Sequence, residues 1–348
     1  MAILKVDTIS GIGTEGSVFE GDIEFTSQNF LTLPKGNTAD AFPDFKAVPA
    51  ASARGIFAGG ISEPSPTRHN VIDFITIATT GDATDFGDLT NTNQFPTAFA
   101  SNTRGVIAGG YHEPAITNSM EFVTIATTGN GQRFGDLTLA RSGAGSLSNS
   151  TRGLIAGGNP ETETVDFVTI QSEGNAINFG DLLTSIQAPG GCADLTRAVI
   201  SGGEDSPTSI NTIQFFTIST QSNATNFGDL SQARRNLASG SSPTLGFFMG
   251  GDFQASSYYD RIDFVTIQTL GDATDFGNLS AARSELAAVT STLRACVGGG
   301  YVSPSTPQTN IVEHITMSTT GQDMSDFGDL TVARRQIRGC SNGHGGLG

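Results

Sequence analysis

The chain writes the same phrase six times, and a chain that repeats itself in this way is built from six equivalent structural units. Its most regular word is Phe-Gly-Asp/Asn-Leu, beginning at Phe86, Phe134, Phe179, Phe227, Phe276 and Phe327, with successive gaps of 48, 45, 48, 49 and 51 residues. Among repeat architectures that period points to propeller blades. A second word, a Gly-Gly pair closing a short apolar run, starts at Gly59, Gly109, Gly157, Gly202, Gly250 and Gly298. Between the two lies a third, Asp73-Phe74-Ile75-Thr76-Ile77, with counterparts at Phe122, Phe167, Phe215, Phe264 and His314.

Each word reads as a strand. Runs such as Ile56-Phe57-Ala58 and Phe247-Phe248-Met249 are too short for a helix and end at glycines that permit a tight turn or close backbone approach. Phe-Val-Thr-Ile is made of β-branched and aromatic residues, which suit a pleated surface. Alternation puts Phe74 and Thr76 on one face and Ile75 and Ile77 on the other, so this strand must be covered on both sides, as it would be between two blades. Glycine in Thr80-Gly81-Asp82 and Leu270-Gly271-Asp272 supplies the turn into the Phe-Gly-Asp-Leu strand. The fourth strand of each unit precedes the Gly-Gly word, in small-residue runs such as Gly143 to Ser148 and Leu286 to Thr290. Small side chains fit the crowded centre of a ring.

This inner-strand word occurs seven times, because Phe45 to Ser52 precedes the first Gly-Gly pair while Gln336 to Asn342 follows the last Phe-Gly-Asp-Leu. Six blades need six. The favoured arrangement has the C-terminal copy completing the first blade and tying the two ends of the ring together.

The segment Arg141 to Gly158, followed by Val165 to Ile170 and Phe179 to Leu182, resembles a kelch repeat. That family forms β-propellers of four-stranded blades with the Gly-Gly pair ending the second strand. The resemblance runs from about Phe45 to the C-terminus and departs in one respect: the usual tryptophan is replaced throughout by phenylalanine, and the chain has no Trp. It implies an all-β fold, a six-bladed kelch-like propeller of four-stranded antiparallel blades over residues 43–348, preceded by a short β-rich segment, residues 1–42.

Composition is consistent with that reading. Forty-four glycines and only 15% charged residues suit many short strands joined by turns. A formal charge of −16 argues against nucleic-acid binding, which needs Lys and Arg to neutralise phosphate, and against anionic membrane surfaces. No stretch approaches transmembrane length, and the N-terminus lacks a charged region followed by a long apolar run, so neither membrane insertion nor secretion is expected. Cys192, Cys296 and Cys340 are an odd count at unrelated spacings and read as small core residues.

Residues 1–42 are a different text. Val6 to Phe25 alternates short apolar patches with glycines, and Asn29 to Gly36 adds a strand closed by a proline and glycine turn. Alone, such a segment cannot bury enough surface to fold stably, so it is expected to order against other chains, as in a homotrimer or on a socket. It resembles the N-terminal segments of tail-fibre and appendage proteins of marine cyanophages, particularly around Leu31 to Gly36. The resemblance implies a virion structural protein, a tail fibre, head fibre or capsid decoration assembled in the host cytoplasm, with residues 1–42 contacting other virion proteins. A cellular kelch-like interaction module is the alternative, and a propeller enzyme the third reading.

Nothing in the sequence assembles a catalytic group. His69, His112, His314 and His344 fall in different repeats with no metal-ligand spacing, and no nucleophile with a base partner can be named. The Asp82, Asp85, Asp88 series does not match a calcium loop, and its recurrence is better explained by turns and strand ends. The reading therefore calls for no enzyme activity, metal or cofactor.

The chain varies most between the Gly-Gly word and the third word. All four tyrosines, Tyr111, Tyr258, Tyr259 and Tyr301, lie in these loops, with seven of the thirteen prolines. Tyrosine offers rigid amphipathic area at low entropic cost and proline stiffens a loop before binding, which suits recognition of a host-surface glycan or protein. On the same side run the linkers into each inner strand, carrying Arg141, Arg234, Arg235, Arg283, Arg334 and Arg335. These arginines either tie the blades by hydrogen bonds or, as Arg234 and Arg283 in particular, line the rim with the tyrosines. Arg54, Arg104, Arg152, Arg197 and Arg294 recur just before the second strand and read as structural, because they are too regular for a binding site.

Overall fold

The computed structural model describes residues 53–64, 66–302 and 308–347. They form a β-propeller of six four-stranded antiparallel blades. In each blade the inner strand pairs with the second, the second with the third and the third with the outer one. Blade 2, for example, uses Thr97–Ala100, Arg104–Ala108, Ser119–Thr124 and Gln132–Asp136. Blade 1 is closed by the C-terminus, with Arg338–Ser341 lying against Arg54–Ala58 so that Ile56 faces Cys340. This is the closure expected from the seven inner-strand words. The N-terminal copy and the segment of residues 1–42 lie outside the described residues.

The core is divided among the blade boundaries. Each of six apolar clusters draws on two neighbouring blades. In one, Leu154, Val165 and Phe179 of blade 3 meet Ile200, Phe216 and Ile218 of blade 4. The third strand feeds both sides, since Ile72 and Phe74 join the cluster toward blade 2 while Ile75 and Ile77 join the one toward blade 6. Its aromatic meets the outer-strand phenylalanine edge to face in every blade, with Phe74 and Phe86 centroids 5.9 Å apart, and in blade 6 His314 takes the same place against Phe327 at 5.6 Å.

The Phe-Gly-Asp-Leu word is a blade-docking device. Its Phe and Leu are buried, as at Phe86 and Leu89. Its Gly sits beside a register shift, at positive φ in five of the six blades, and a Cβ on Gly87 would stand 2.6 Å from the carbonyl oxygen of Gly129 in the next blade's turn. Its Asp backbone N–H donates to a side chain in that same turn, Asp88 to Asn130 at 3.0 Å and Asp329 to Asp82 at 3.0 Å. The recurring acidic series is thereby placed in turns and at strand ends.

In blade 6 the sequence word is shifted by one residue. Gly298 is the last residue of the strand Arg294–Gly298, and the pair at positive φ is Gly299 and Gly300, equivalent to Gly59 and Gly60. The second glycine of each pair donates to the linker carbonyl entering the next blade, as Gly60 does to Asn93 at 2.7 Å and Gly110 to Arg141 at 2.9 Å.

Around the axis, the linkers close a circuit of backbone hydrogen bonds. The N–H of Phe95 donates to Gln336, Gln336 to Glu285, Glu285 to Asn236, Asn236 to Ala188, Ala188 to Gly143, and Gly143 back to Phe95, all at 2.8–3.1 Å. All six residues have φ between 53° and 59°, although only one is glycine. Left-handed backbone is costly for residues with a Cβ, and a closed hydrogen-bond ring with one member per blade supplies what holds it.

Candidate functional site

The linker arginines occupy a set of positions that repeats with the blades. After each Phe-Gly-Asp/Asn-Leu word comes Thr90, Thr138, Leu183, Ser231, Ser280 or Thr331; three residues on comes Asn93, Arg141, Ile186, Arg234, Arg283 or Arg334. The third position, inside the third strand, is Glu121, Asp166, Gln214, Asp263, Glu313 or Asp73. Arg141 and Asp166 form an ion pair at 2.6 Å, and Arg234 with Asp263 and Arg334 with Asp73 at 3.0 Å; Arg283 pairs with Glu313. The preceding Ser or Thr caps the acid, as Thr138 Oγ1 donates to Asp166 at 2.6 Å. In blade 4 all three change together: Leu183, Ile186 and Gln214 carry no charge, and the Leu183 N–H donates to Gln214 at 2.9 Å. In blade 2, Asn93 replaces the arginine and donates to the Gly109 carbonyl at 2.9 Å.

Arg234 and Arg283 are 0% and 2% exposed. Their guanidinium groups are spent on Asp263, Glu313 and strand-end carbonyls of their own blades, such as Phe248 and Gly299. The rim expectation for these two is thereby corrected: a residue with no surface cannot contact a ligand. Burial lowers the pKa of both, opposed for Arg234 by Asp263. Ties between adjacent blades come from Arg235 and Arg335 among the linker arginines and from the other arginine series. Arg54 donates to Ile125 and Ala126 carbonyls, Arg104 to Ile170, Arg152 to Ile218, Arg197 to Ile267 and Arg294 to Ile77, each in the next blade. Four of them also lie over their own blade's third-strand aromatic, Arg104 over Phe122 at 4.3 Å for example.

The loop face carries the tyrosines. Among the described residues, short two-stranded hairpins project from four blades, such as Tyr111–His112 with Ala115–Ile116 in blade 2 and Asp252–Phe253 with Ser257–Tyr258 in blade 5. Tyr258 and Tyr301, from adjacent blades 5 and 6, meet with ring centroids 5.1 Å apart. Tyr301 also receives the Arg335 guanidinium at 5.5 Å. Burial and the neighbouring Tyr301 raise the Tyr258 phenol above its ordinary pKa. Tyr111 stands apart on the blade 1 and 2 boundary under Arg68, 4.7 Å from its ring centre, with Arg68 paired to Glu113 at 2.5 Å. The backbone of Tyr259 bridges inward, donating to Gly251 and accepting from Arg283. All four tyrosines are half-buried.

Polar bonds link the loops across further boundaries. Ser206 donates to Glu161, Gln254 Nε2 to the Pro207 carbonyl at 2.7 Å, and Gln308 Nε2 to the Glu63 carbonyl at 2.9 Å. Arg335 bridges Glu63 at 3.1 Å and Glu285 at 2.6 Å, and Arg235 bridges Glu204 and Asp252. These bonds cross-link the described parts of the loops before any partner arrives, which reduces the ordering cost of binding.

The histidines are dispersed. His69 lies 2.9 Å from Ser62 Oγ, His314 packs on Phe327, and His344 reaches the axial channel; burial lowers the pKa of all four. Among the described residues no group of three or more His, Cys, Asp or Glu is placed to hold a metal ion. The buried thiols of Cys296 and Cys340 are pushed up to about 12.

The six-bladed ring implies a central channel, but sequence reading did not single out the residues that line it. Arg338 and His344 both line a cavity on the propeller axis, Arg338 from the inner strand of blade 1 and His344 from the tail after it. The signal available was Arg338 itself, a long cation at a position where every other inner strand has Thr, Gly or Ala. No protein-family model matches the chain, and no curated protein does.

Proposed function

We propose that the propeller is a binding module that presents its loop face to a macromolecular partner, a surface glycan or a protein. The observation that carries this reading is the Tyr258 and Tyr301 pair, two half-buried aromatics brought together across a blade boundary from loops that share no sequence. Aromatic rings held in place by a bonded crown offer area for stacking at little entropic cost. Tyr111 with Arg68 extends the same face, and Tyr259 supports it through its backbone.

Within that reading, the specific proposal is a virion fibre or decoration protein. It rests on the resemblance of residues 1–42 to cyanophage appendage segments and on the kelch-like order of the repeats, with residues 1–42 as the attachment to other virion proteins. A kelch-like cellular interaction module uses the same face, and the N-terminal resemblance is what favours the virion.

The test replaces Tyr258, Tyr259 and Tyr301 together by alanine. The expected result is an unchanged fold with weaker adsorption to host cells or isolated envelope glycans. Unchanged adsorption by the folded triple variant removes this face from the function. Separately, a chain lacking residues 1–42 is expected to fold as a propeller and to fail incorporation into particles, and normal incorporation overturns the virion attachment.

A further inference from the structure

The charges beside the paired tyrosines are already matched to one another. Arg335, whose guanidinium stands 5.5 Å from the Tyr301 ring centre, is held between Glu63 at 3.1 Å and Glu285 at 2.6 Å. Glu285 also accepts from Gln336 Nε2 at 3.1 Å. One blade earlier, Arg235 is bound by Glu204 and Asp252, and Asp252 accepts in addition from Asn236 Nδ2 and from the Ala255 N–H, both at 2.8 Å. The other half-buried cations at this end of the blades are paired likewise, Arg68 with Glu113 at 2.5 Å and Arg261 with Asp263 at 3.0 Å. Lysine contributes nothing here, since the three in the chain are Lys5, Lys35 and Lys46.

Among the described residues, an anion arriving at this face therefore meets no free cation, and the exposed carboxylates of Glu163, Asp205 and Asp260 repel it. The carboxylates that act on the Tyr258 phenol are Asp252 and Glu285, both of them paired, so a cation finds no free counter-charge beside the rings either. Exposed around them are hydroxyl, amide and proline side chains, as at Gln254, Ser256, Ser257, Pro207 and Thr208. None of the exposed large aliphatic side chains lies in these loops, so a protein partner would meet the two rings without the apolar surround of an interface core. A sugar needs only what is present, an aromatic face for its C–H groups and neutral donors and acceptors for its hydroxyls. Tyr301 is engaged by both Tyr258 and Arg335, whereas Tyr258 meets only Tyr301 among the described rings and cations. Its phenol donates to the Ala255 carbonyl at 3.2 Å on the exposed side of the loop, which makes Tyr258 the ring with a face to give.

We propose that the ligand of the Tyr258 and Tyr301 patch is an uncharged glycan, one sugar ring of which stacks on Tyr258, and that glycans bearing sulfate, phosphate or carboxylate are refused. This rests on the loop-face reading above and narrows its partner to one chemical class. Because no ion pair forms between protein and ligand, such binding does not weaken as salt is added.

The test uses the full chain coupled to a surface through amines, which leaves the lysine-free propeller unmodified. Host envelope glycans, freed of protein by protease, are divided by anion exchange into an unretained, uncharged fraction and a retained, charged one. Binding is expected in the unretained fraction, equal at low and high salt, weakened about tenfold by Tyr258→Ala and kept by Tyr258→Phe. Tyr258-dependent binding that is confined to the retained fraction, or that falls with salt, overturns the uncharged ligand and leaves the loop-face reading standing. Tyr258-dependent binding that protease abolishes overturns it in favour of a protein partner. Binding that Tyr258→Ala leaves unchanged, or no binding to envelope material at all, overturns both the proposal and the reading it rests on. The fraction that binds the unaltered protein, and its response to salt, decide the ligand class even where the alanine variant is not recovered.

Discussion

Arg334 and Asp73 come from opposite ends of the propeller sequence and meet at 3.0 Å, with neither side chain reaching solvent. Arg334 also donates to the Phe57 carbonyl at 3.2 Å, and Thr331 Oγ1 donates to Asp73 at 2.6 Å. Through these contacts the last linker is bound to the first blade, beside the strand pairing of Arg338–Ser341 with Arg54–Ala58.

Breaking this pair one side at a time should be costly. Arg334→Ile or Asp73→Gln alone leaves an uncompensated buried group, and the expected loss is about 3–5 kcal/mol. Blade 4 shows the alternative solution, with Ile186 and Gln214 at the same two positions. The double variant Arg334→Ile, Asp73→Gln should therefore recover most of that loss, more fully still when Thr331→Leu is added. Denaturant unfolding of both single variants and the double closes the cycle. A double variant as damaged as the sum of the singles contradicts the interchangeability of the two sets.

Two glycines on either side of one blade boundary should respond oppositely to a methyl group. Gly87 has φ 145° and its Cβ would press on the Gly129 carbonyl at 2.6 Å, whereas a Cβ on Gly129 meets nothing within 4 Å. Gly87→Ala is expected to destabilise by about 1–3 kcal/mol. Gly129→Ala is expected to stay within about 0.5 kcal/mol of the unaltered protein. Thermal unfolding distinguishes the two, and equal effects remove the docking role of the Phe-Gly-Asp-Leu glycine.

The repeats made the blades legible because each strand has a period and an end that recur six times. Closure by Gln336 to Asn342 was readable for the same reason, as a seventh inner-strand word with a place to go. The linker arginines were harder. Arg234 and Arg283 look like rim residues by position, and only their partners Asp263 and Glu313, about 30 residues on, show that they turn inward. The joint loss of charge at Leu183, Ile186 and Gln214 was a readable sign of that pairing. Tyr258 and Tyr301 were brought together by blade order alone, but Tyr259 and Tyr111 were not, because loop hairpins direct side chains by local register rather than by repeat. The circuit from Phe95 to Gln336 leaves no trace in composition, since five of its six left-handed residues are not glycine.

The tail histidine should make stability depend on pH in the mildly acidic range. His344 Nε2 lies 2.9 Å from the Ala100 carbonyl, and Nδ1 accepts the Gly346 N–H at 3.2 Å, so a second proton has no open site. Burial lowers its pKa to about 4 from the usual 6.5. Its folded pKa is depressed, so the unfolded chain alone takes up a proton as pH falls from 6.5 toward 4. The contribution is whole above 6.5, is lost across that window and levels off below about 4. His69, His112 and His314 shift in the same direction, so the measurement is a difference. Unfolding curves of His344→Gln and the unaltered protein between pH 4 and 7 should converge as pH falls, and parallel curves refute the assignment.

Blade 5 lacks the bond that ties five of the blades to their successors. Arg54, Arg104, Arg152, Arg197 and Arg294 each donate to the carbonyl that follows the next blade's third strand, and blade 5 has Leu245 at this position. The equivalent acceptor is the carbonyl of Met317, and the third-strand aromatic over which an arginine would lie is Phe264. Leu245→Arg should complete the series, with a new hydrogen bond to blade 6 and a cation over Phe264. Leu245 is only half-buried, and the arginine stem covers much of the apolar surface that leucine covers now. The expected gain is about 0.5–1.5 kcal/mol, read as a higher denaturant midpoint at unchanged slope. The reverse substitution, Arg197→Leu, should lose a similar amount. A destabilised Leu245→Arg with a destabilised Arg197→Leu would mean that the boundary between blades 5 and 6 is packed for an apolar residue, and that the arginine bonds are worth something only where the surrounding cluster was built around them.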